Sequence, residues 1–133
     1  MSDPDDPMTT VHAYVNGFNN GDVQAMAAAC ADPMQILDGL APHVWQGPTA
    51  AQDWYADALI EAGHLSVTDL HIGTGEPRHV DVAGDFALPV TFEYNLPGKH
   101  VNQTAWWTFS LRKIDEAWKL TAWSWRKGDF AIG

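Results

Sequence analysis

The sequence has few cationic side chains for its size. Seven lysines and arginines stand against 17 aspartates and glutamates, which gives a formal net charge of −10 at pH 7. Nucleic acids and anionic membranes bind basic surfaces, so neither is expected as a partner. The acidic excess is better explained as a feature that keeps the protein in solution.

Other absences narrow the protein's location and chemistry. The single cysteine, Cys30, excludes an internal disulfide and favours a reducing compartment. No run of 18 apolar residues is present, and the first residues, MSDPDDPM, are acidic where a secretory signal would be basic and then apolar. These features predict a cytoplasmic protein. The histidines show no metal-ligand spacing, so no metal is expected. No other cofactor is predicted.

Aromatic side chains, by contrast, are abundant. Seven tryptophans, five phenylalanines and three tyrosines accompany a hydrophobic content of 46%. This composition predicts a folded globular domain, and 133 residues suffice for one core without disulfides or metals. The tryptophans must either fill that core or line an apolar cavity.

Helical periodicity dominates the first part of the chain. Residues 1–8 are rich in Pro and Asp and are predicted to be a disordered acidic tail. Thr9 or Thr10 would cap a first helix, because apolar residues recur at positions 11, 14, 15 and 18. Asp22 would cap a second helix that carries Cys30 on its apolar face and ends near position 32.

A short strand over residues 34–38 precedes a third predicted helix. Thr49 and Gln52 form a capping-box pattern at the start of that helix, and Gly63 would end it. Trp54 and Tyr55 begin its apolar stripe and are most simply core residues.

The remainder of the chain alternates between apolar and polar residues, as strands do. Strands are predicted over residues 65–72, 78–82, 86–94, 100–113 and 118–126, with a bulge or an edge at Pro89. This order predicts an α+β domain, in which three N-terminal helices pack on one face of a curved, mostly antiparallel sheet. Trp and Phe on both strand faces favour a homodimer formed through the outer face of the sheet.

One carboxylate stands out within this plan. Asp38 follows an apolar run and precedes Gly39, which places it at a strand end against the core. Burial there would raise its pKa and suit it to carry protons. The alternative is a turn aspartate that bonds nearby backbone N–H groups, since Asp-Gly is a common turn pair.

The chain resembles the nuclear transport factor 2-like superfamily, and more closely its ketosteroid isomerase and SnoaL-like branch. Residues 30–39, CADPMQILDG, align without a gap with the isomerase motif Y-A-D-D-A-T-V-E-D-P. Asp38 aligns with the last Asp of that motif, which is the family's general base. Tyr14 precedes Asp38 by 24 residues, which is the separation of the family's oxyanion-hole tyrosine. The resemblance implies a single domain over residues 9–133 with a cone-shaped fold.

The same resemblance implies which side chains hold a substrate. Residues 87–94, ALPVTFEY, match a family strand A-M-P-F-R-V-E-M, and residues 123–125, WSW, resemble its A-Y-W. The third helix would line the same cavity. The implied substrate-binding residues are Trp54, Tyr55, Leu88, Val90, Phe92, Trp107 and Trp125.

One position departs from the family pattern. The family's second oxyanion donor is a protonated aspartate, and the aligned residue here is Trp107 or Ser110, depending on the direction of counting. The indole N–H of Trp107 would offer one hydrogen bond. Loss of a charge-stabilising donor costs on the order of 10²-fold or more in rate, which places steroid isomerisation itself in doubt.

Several functions therefore stay open. The first is cofactor-independent acid–base chemistry on a small hydrophobic carbonyl compound, of the isomerase, cyclase or dehydratase type, with Asp38 as base and Tyr14 as donor to the enolate oxygen. The second is a non-catalytic module that binds an apolar ligand or dimerises, and the third is a transport adaptor like the superfamily's namesake. His43 is either a proton relay or a solvated loop histidine.

Overall fold

The computed structural model describes residues 6–81 and 84–127, without the side chains of residues 79–81 and 127. These residues form an α+β fold, as predicted. Its helices are α1 (Pro7–Asn20), α2 (Val23–Ala28) and α3 (Ala50–His64). Its strands are β1 (Cys30–Leu37), β2 (Val44–Gly47), β3 (Thr68–Thr74), β4 (Arg78–Asp81), β5 (Asp85–Leu96), β6 (Lys99–Ile114) and β7 (Ala117–Lys127). None of the described helices combines the length and the apolar character needed to cross a membrane.

The strands form one curved, open sheet. Six of them follow the order β2-β1-β7-β6-β5-β3, and β4 pairs with β5. Among the described strands, β1 and β7 run parallel and every other pair runs antiparallel, which confirms the mostly antiparallel prediction.

Pro89 lies inside β5, where the neighbouring strand changes. On the side of β5 away from β6, β3 pairs as far as Val90 and β4 takes over at Ala87. The proline has no N–H to donate, and its carbonyl accepts the N–H of Gly75 at 2.8 Å. The predicted irregularity at Pro89 is therefore a break between two partner strands.

The first helix begins earlier than predicted. Asp6, rather than Thr9 or Thr10, is the N-cap, and its side chain accepts the N–H of Met8 at 2.9 Å. Pro7 occupies the first turn, where a missing N–H leaves no bond unmade. Pro7 and Met8 are therefore helical rather than part of a tail, and residues 1–5 lie outside the described residues.

The second helix ends sooner than predicted, and β1 begins sooner. Asp22 caps α2 as expected, but the helix stops at Ala28. Cys30 instead pairs with Leu120 of β7, and the Leu120 N–H donates to the carbonyl of Ala29 at 2.9 Å. Long-range strand pairing overrides a helical periodicity that continues through Cys30.

Two further predictions near α3 are wrong. The segment before α3 contains β2, which was not predicted and which pairs with β1, Val44 opposite Leu37. Thr49 does not form the capping box; its hydroxyl donates to Asp53 Oδ2 at 2.8 Å, and the helix continues past Gly63. The Thr49 hydroxyl thus bonds the carboxylate of Asp53 in the first turn instead of accepting a backbone N–H of the helix.

The core lies on one face of the sheet. Alternate residues of β6 are fully buried, namely Ala105, Trp107, Phe109 and Leu111. Buried side chains from all three helices, among them Val11, Met26 and Trp54, join them in one hydrophobic cluster. This cluster positions the candidate site described below.

The opposite face of the sheet is more polar than the sequence indicated. Thr108 and Ser124 face each other across β6 and β7, and with Ser110 they line a shallow cleft there. Trp106, which alternates with the buried Trp107, is half-buried on that side. A homodimer through this face stays a prediction.

Gly84, at the start of β5, is expected to be the glycine least tolerant of substitution. Its φ is +106°, and a Cβ there would lie 2.8 Å from the Leu111 carbonyl oxygen and 2.9 Å from the Trp118 ring. Gly47 has almost the same φ, +108°, but nothing within 4 Å of its added Cβ, so it isolates the backbone strain. We expect Gly47→Ala to lower the free energy of unfolding by about 1 kcal/mol and Gly84→Ala by about 3 kcal/mol or more. Equal losses in urea denaturation would contradict the steric argument.

Candidate active site

Asp38 directly follows β1 and is fixed by hydrogen bonds on both sides. Its Oδ1 accepts the N–H of Gly39 at 2.7 Å, and its own N–H donates to the His43 carbonyl at 3.0 Å. This is the bonding expected of a turn aspartate. Its Oδ2, however, accepts the indole N–H of Trp54 on α3 at 2.8 Å. The carboxylate therefore forms the turn and also points one oxygen towards the core.

Burial raises the pKa of Asp38 above its ordinary value. Hydrogen bonds from the Trp54 indole and from the N–H groups of Gly39 and Leu40, and the nearby His43, act in the opposite direction without cancelling it. A carboxylate with a raised pKa holds a proton more readily, which is a property of general bases that act near neutral pH.

His43 lies beside the backbone of Asp38. Its Nδ1 is 3.2 Å from the Asp38 carbonyl oxygen, and the ring is exposed. This contact helps to close the turn between β1 and β2. The sequence allowed His43 to be either a proton relay or a solvated loop histidine, and its exposed ring fits the second.

Tyr14 is fully buried within α1 and stacks on the same indole that binds Asp38. The Tyr14 and Trp54 rings lie 6.4 Å apart at an interplanar angle of 23°. The Tyr14 hydroxyl oxygen accepts the indole N–H of Trp123 at 3.0 Å. Burial raises the pKa of Tyr14 well above its ordinary value, and the nearby Cys30 and Asp38 add to this effect. The phenol therefore stays protonated and able to donate.

Trp123 was not among the predicted site residues, although it bonds the tyrosine. It contacts Trp54 at 4.8 Å and Trp107 at 4.8 Å between ring centroids. The available signal was its position two residues before Trp125 on β7, which puts both on one face of the strand.

Several of the predicted substrate-binding residues form a wall beside Asp38 and Tyr14. Trp107 contacts Phe92 at 6.0 Å, and Phe92 contacts Trp125 at 6.4 Å. A Cβ at Gly39 would lie 3.1 Å from the Trp125 ring, so the turn after Asp38 packs directly against this wall. Leu88 and Val90 are buried on the same face of β5, opposite Trp107 and Ala105 in the ladder.

Tyr55 has its contacts elsewhere. Its ring packs edge-to-face on Phe18 at 5.5 Å, and its hydroxyl lies near Gly21, which caps α1. Adjacent helix positions point in different directions, so Trp54 and Tyr55 cannot face the same group. The structure thus joins Trp54 to Asp38 and Tyr14, and joins Tyr55 to the end of α1.

The two alternatives for the second oxyanion position lie on opposite faces of β6. Ser110 lines the cleft on the outer face, whereas Trp107 is fully buried among the site aromatics. Trp107 is therefore the one that lies with Tyr14 in the core. Its indole nitrogen, like that of Trp125, is buried and has no hydrogen-bond partner among the described residues.

Protein side chains fill the interior around Tyr14. Trp54 is 3% exposed, and Leu88 and Trp107 are 0% exposed. A cleft of about 450 Å³ in the described part of the chain opens elsewhere, between α1 and Trp118. A ligand that reaches Tyr14 must therefore displace some of these side chains.

The raised pKa of Asp38 has a consequence for stability. The folded state holds this proton more tightly than the unfolded state, so stability falls as pH rises from the unfolded value through the folded one. We expect Asp38→Asn to gain in free energy of unfolding relative to the wild type as pH rises from about 4, the ordinary aspartate pKa, towards 7, because only the wild type has a carboxyl that must ionise there. Denaturation across this pH range measures the gain. Asp57→Asn is the control, because Asp57 also accepts an indole N–H, from Trp45 at 2.8 Å; identical pH profiles for the two variants would contradict the expectation.

Comparison with known proteins places the chain in a family. A model of the SnoaL-like domain matches residues 8–124. A ketosteroid isomerase-like protein from Erwinia carotovora atroseptica SCRI1043 has a TM-score of 0.67 and 16% identity, over 92% of this chain and 93% of that one. TerC, co-crystallised with polyporic acid, has a TM-score of 0.72 and 14% identity, over 95% and 94%.

A third solved structure shares the fold at similar identity. SalBIII, an epoxide hydrolase/cyclase-like enzyme with a role in pyran ring formation in the polyether salinomycin, has a TM-score of 0.69 and 18% identity, over 92% of this chain and 90% of that one. At these identities the likeness is one of fold. The family match spans most of the chain, so the protein belongs to the SnoaL-like domain family, in the ketosteroid isomerase and SnoaL-like branch of the nuclear transport factor 2-like superfamily.

Proposed function

We propose that this protein catalyses cofactor-independent proton transfer on a small hydrophobic carbonyl compound, in a reaction of the isomerase, cyclase or dehydratase type. One observation carries the proposal. A half-buried carboxylate with a raised pKa, Asp38, and a buried phenol, Tyr14, are joined by one indole that bonds the first and stacks on the second. A base and a hydrogen-bond donor held together in an apolar interior are the two groups that enolisation requires.

In the proposed reaction Asp38 accepts the proton from the carbon next to the carbonyl. The C–H electron pair moves into the C–C bond, and the carbonyl oxygen becomes an enolate oxygen as charge develops on it. Asp38 then returns the proton, either to another carbon of the same compound or to a leaving group. Burial favours the protonated carboxyl that is formed on the way, because it carries no charge.

Tyr14 is suited to stabilise the enolate oxygen. Its oxygen already accepts the Trp123 N–H, which leaves the phenolic proton free to be donated to a substrate. A hydrogen bond received by a hydroxyl polarises it and strengthens the bond that it donates. The dry surroundings strengthen this interaction further, since the local dielectric is low.

The relatives with solved structures give support by analogy of fold. SalBIII is an epoxide hydrolase/cyclase-like enzyme, and TerC was crystallised with polyporic acid. One fold hosts many functions, so these names favour a reaction class and do not select a substrate.

The filled interior favours a second candidate, a non-catalytic module of the same fold that binds an apolar ligand or dimerises through the outer face of the sheet. In that case Asp38 serves only the turn bonds to Gly39 and His43. The test is exchange of the alpha protons of 2-cyclohexenone in deuterated buffer, followed by proton NMR. Exchange faster than in buffer alone and dependent on Asp38 supports the enzyme, and exchange at the buffer rate supports the binding module.

A further inference from the structure

Two tryptophans in the wall of the candidate site have buried indole N–H groups without a partner. They are Trp107 and Trp125, and no hydrogen-bond acceptor for either is found among the described residues. The other core indoles differ, because Trp45, Trp54 and Trp123 donate to Asp57, Asp38 and Tyr14 respectively. Buried donors are rarely left unpaired, because each one loses its bond to water and gains nothing in return.

The two unpaired donors lie next to each other in the sheet. Trp107 and Trp125 are directly opposite in the β6–β7 ladder, and the ring of Phe92 contacts both. Trp125 also packs against Gly39, the residue after the candidate base. Both rings therefore belong to the wall of the Asp38 site.

The chemistry of this wall restricts what the donors can bind. Indole donates a hydrogen bond and accepts none, so the complementary ligand atom is an acceptor. An anionic acceptor is disfavoured, because the surrounding Phe92, Leu88 and Trp54 are uncharged and Asp38 is negative when ionised. Neutral carbonyl or ether oxygens fit both conditions.

We infer that Trp107 and Trp125 donate their indole N–H groups to neutral oxygen atoms of the ligand, so that the ligand is an apolar compound with carbonyl-type oxygens at more than one position. The inference rests on the proposed function, which places the ligand beside Asp38 and Tyr14. In that site Tyr14 binds the reacting carbonyl, and the two indoles bind the other oxygens and set the orientation of the compound. A ligand with a single oxygen would leave buried donors unpaired and would bind more weakly.

The test compares two ring systems of the same shape, 2,3-dimethyl-1,4-naphthoquinone and 2,3-dimethylnaphthalene, as probes of the full-length protein. The indole ¹⁵N–¹H resonances are recorded during each titration. We expect the quinone, but not the hydrocarbon, to move the Trp107 and Trp125 protons downfield as hydrogen bonds form. The Trp45 resonance is the internal control, because that indole is already bonded to Asp57.

A second arm removes the donors and keeps the ring shape. 3-Benzothienylalanine in place of Trp107 or Trp125 substitutes sulfur for the N–H, which avoids the cavity that Phe would leave in the core. We expect each replacement to weaken quinone binding about tenfold, the equivalent of one hydrogen bond, and to leave hydrocarbon binding unchanged. Equal loss for both probes, unmoved indole resonances at saturation, or failure of the quinone to bind would overturn the inference. Unmoved resonances at saturation would also indicate that the N–H groups point at neighbouring rings such as Phe109, 5.5 Å from Trp107.

The outcome is separable from that of the proposed function. The same titration in Asp38→Asn retains both indoles but lacks the base. Resonance shifts that persist there, with no exchange of alpha protons by the wild type, would support the ligand class and refute the enzyme. Exchange by the wild type without any shift would do the reverse.

Discussion

Replacement of Asp38 by asparagine is expected to slow exchange of the alpha protons of 2-cyclohexenone on the order of 10³-fold, to near the buffer rate. Asparagine keeps the size of the side chain, and its carbonyl oxygen can still accept the indole N–H of Trp54, whereas its NH₂ group cannot accept the Gly39 N–H. It cannot take a proton at any pH used for the assay. The loss therefore reports the base once a control has accounted for the loss of an acidic group from such a bond. Proton NMR in deuterated buffer measures the rate for both proteins.

Asp57→Asn is the matched control for this experiment. Asp57 also accepts an indole N–H at 2.8 Å, from Trp45, and lies one helical turn after Trp54 on α3. It therefore reproduces the loss of one acidic group in a similar bond without touching Asp38. We expect it to retain the wild-type rate. A similar loss in both variants, or no loss in Asp38→Asn, would remove the general-base role.

Replacement of Tyr14 by phenylalanine has the second largest expected effect. The change removes the donor to the enolate oxygen, and exchange should slow on the order of 10²-fold. It also leaves the Trp123 N–H without its acceptor in a fully buried position, so the free energy of unfolding should fall by about 1–3 kcal/mol. Exchange kinetics and urea denaturation measure the two effects on one preparation.

Tyr55→Phe separates the role of Tyr14 from that of a tyrosine hydroxyl in general. Tyr55 packs on Phe18, and its hydroxyl lies by Gly21, away from the described contacts of Asp38. It should change neither rate nor stability appreciably. A variant Tyr14→Phe that loses stability but exchanges at the wild-type rate would limit this phenol to a structural role.

Much of the sheet was predictable because its signal is local. Buried and less buried residues alternate over residues 104–112 of β6 and over residues 85–88 of β5, and period-two patterns identify a strand whatever its partner is. Observed bounds for these strands differ from the predicted ones by one or two residues at each end. The cap at Asp22 was also readable, because a capping side chain bonds a backbone group three residues away.

The elements that were missed depend on distant partners. β2 has four residues and exists because it pairs with β1, and the end of α2 is decided by Leu120, far along the chain. No property of residues 28–30 taken alone stops the helix there. Local propensity is a weak guide where tertiary pairing competes with it.

The candidate site was predictable only in part, and for a similar reason. The resemblance to a family identified Asp38 and Tyr14 as a candidate pair, and in the structure Trp54 contacts both of them. That Trp54 bonds one and stacks on the other depends on the packing of α3 against β1, which spacing does not reveal. The bond from Trp123 to Tyr14 spans 109 positions and leaves no local trace.

That span also bears on how the protein is made. Cys30 pairs with Leu120, and Tyr14 receives its hydrogen bond from Trp123 on β7, so these two residues meet their β7 partners only after that strand has left the ribosome. Folds with many such long-range pairings fold more slowly than folds built from local contacts. Until β7 emerges, the Tyr14 and Trp54 rings lack the cover that Trp123 provides, and we expect a nascent chain arrested before β7 to bind chaperones.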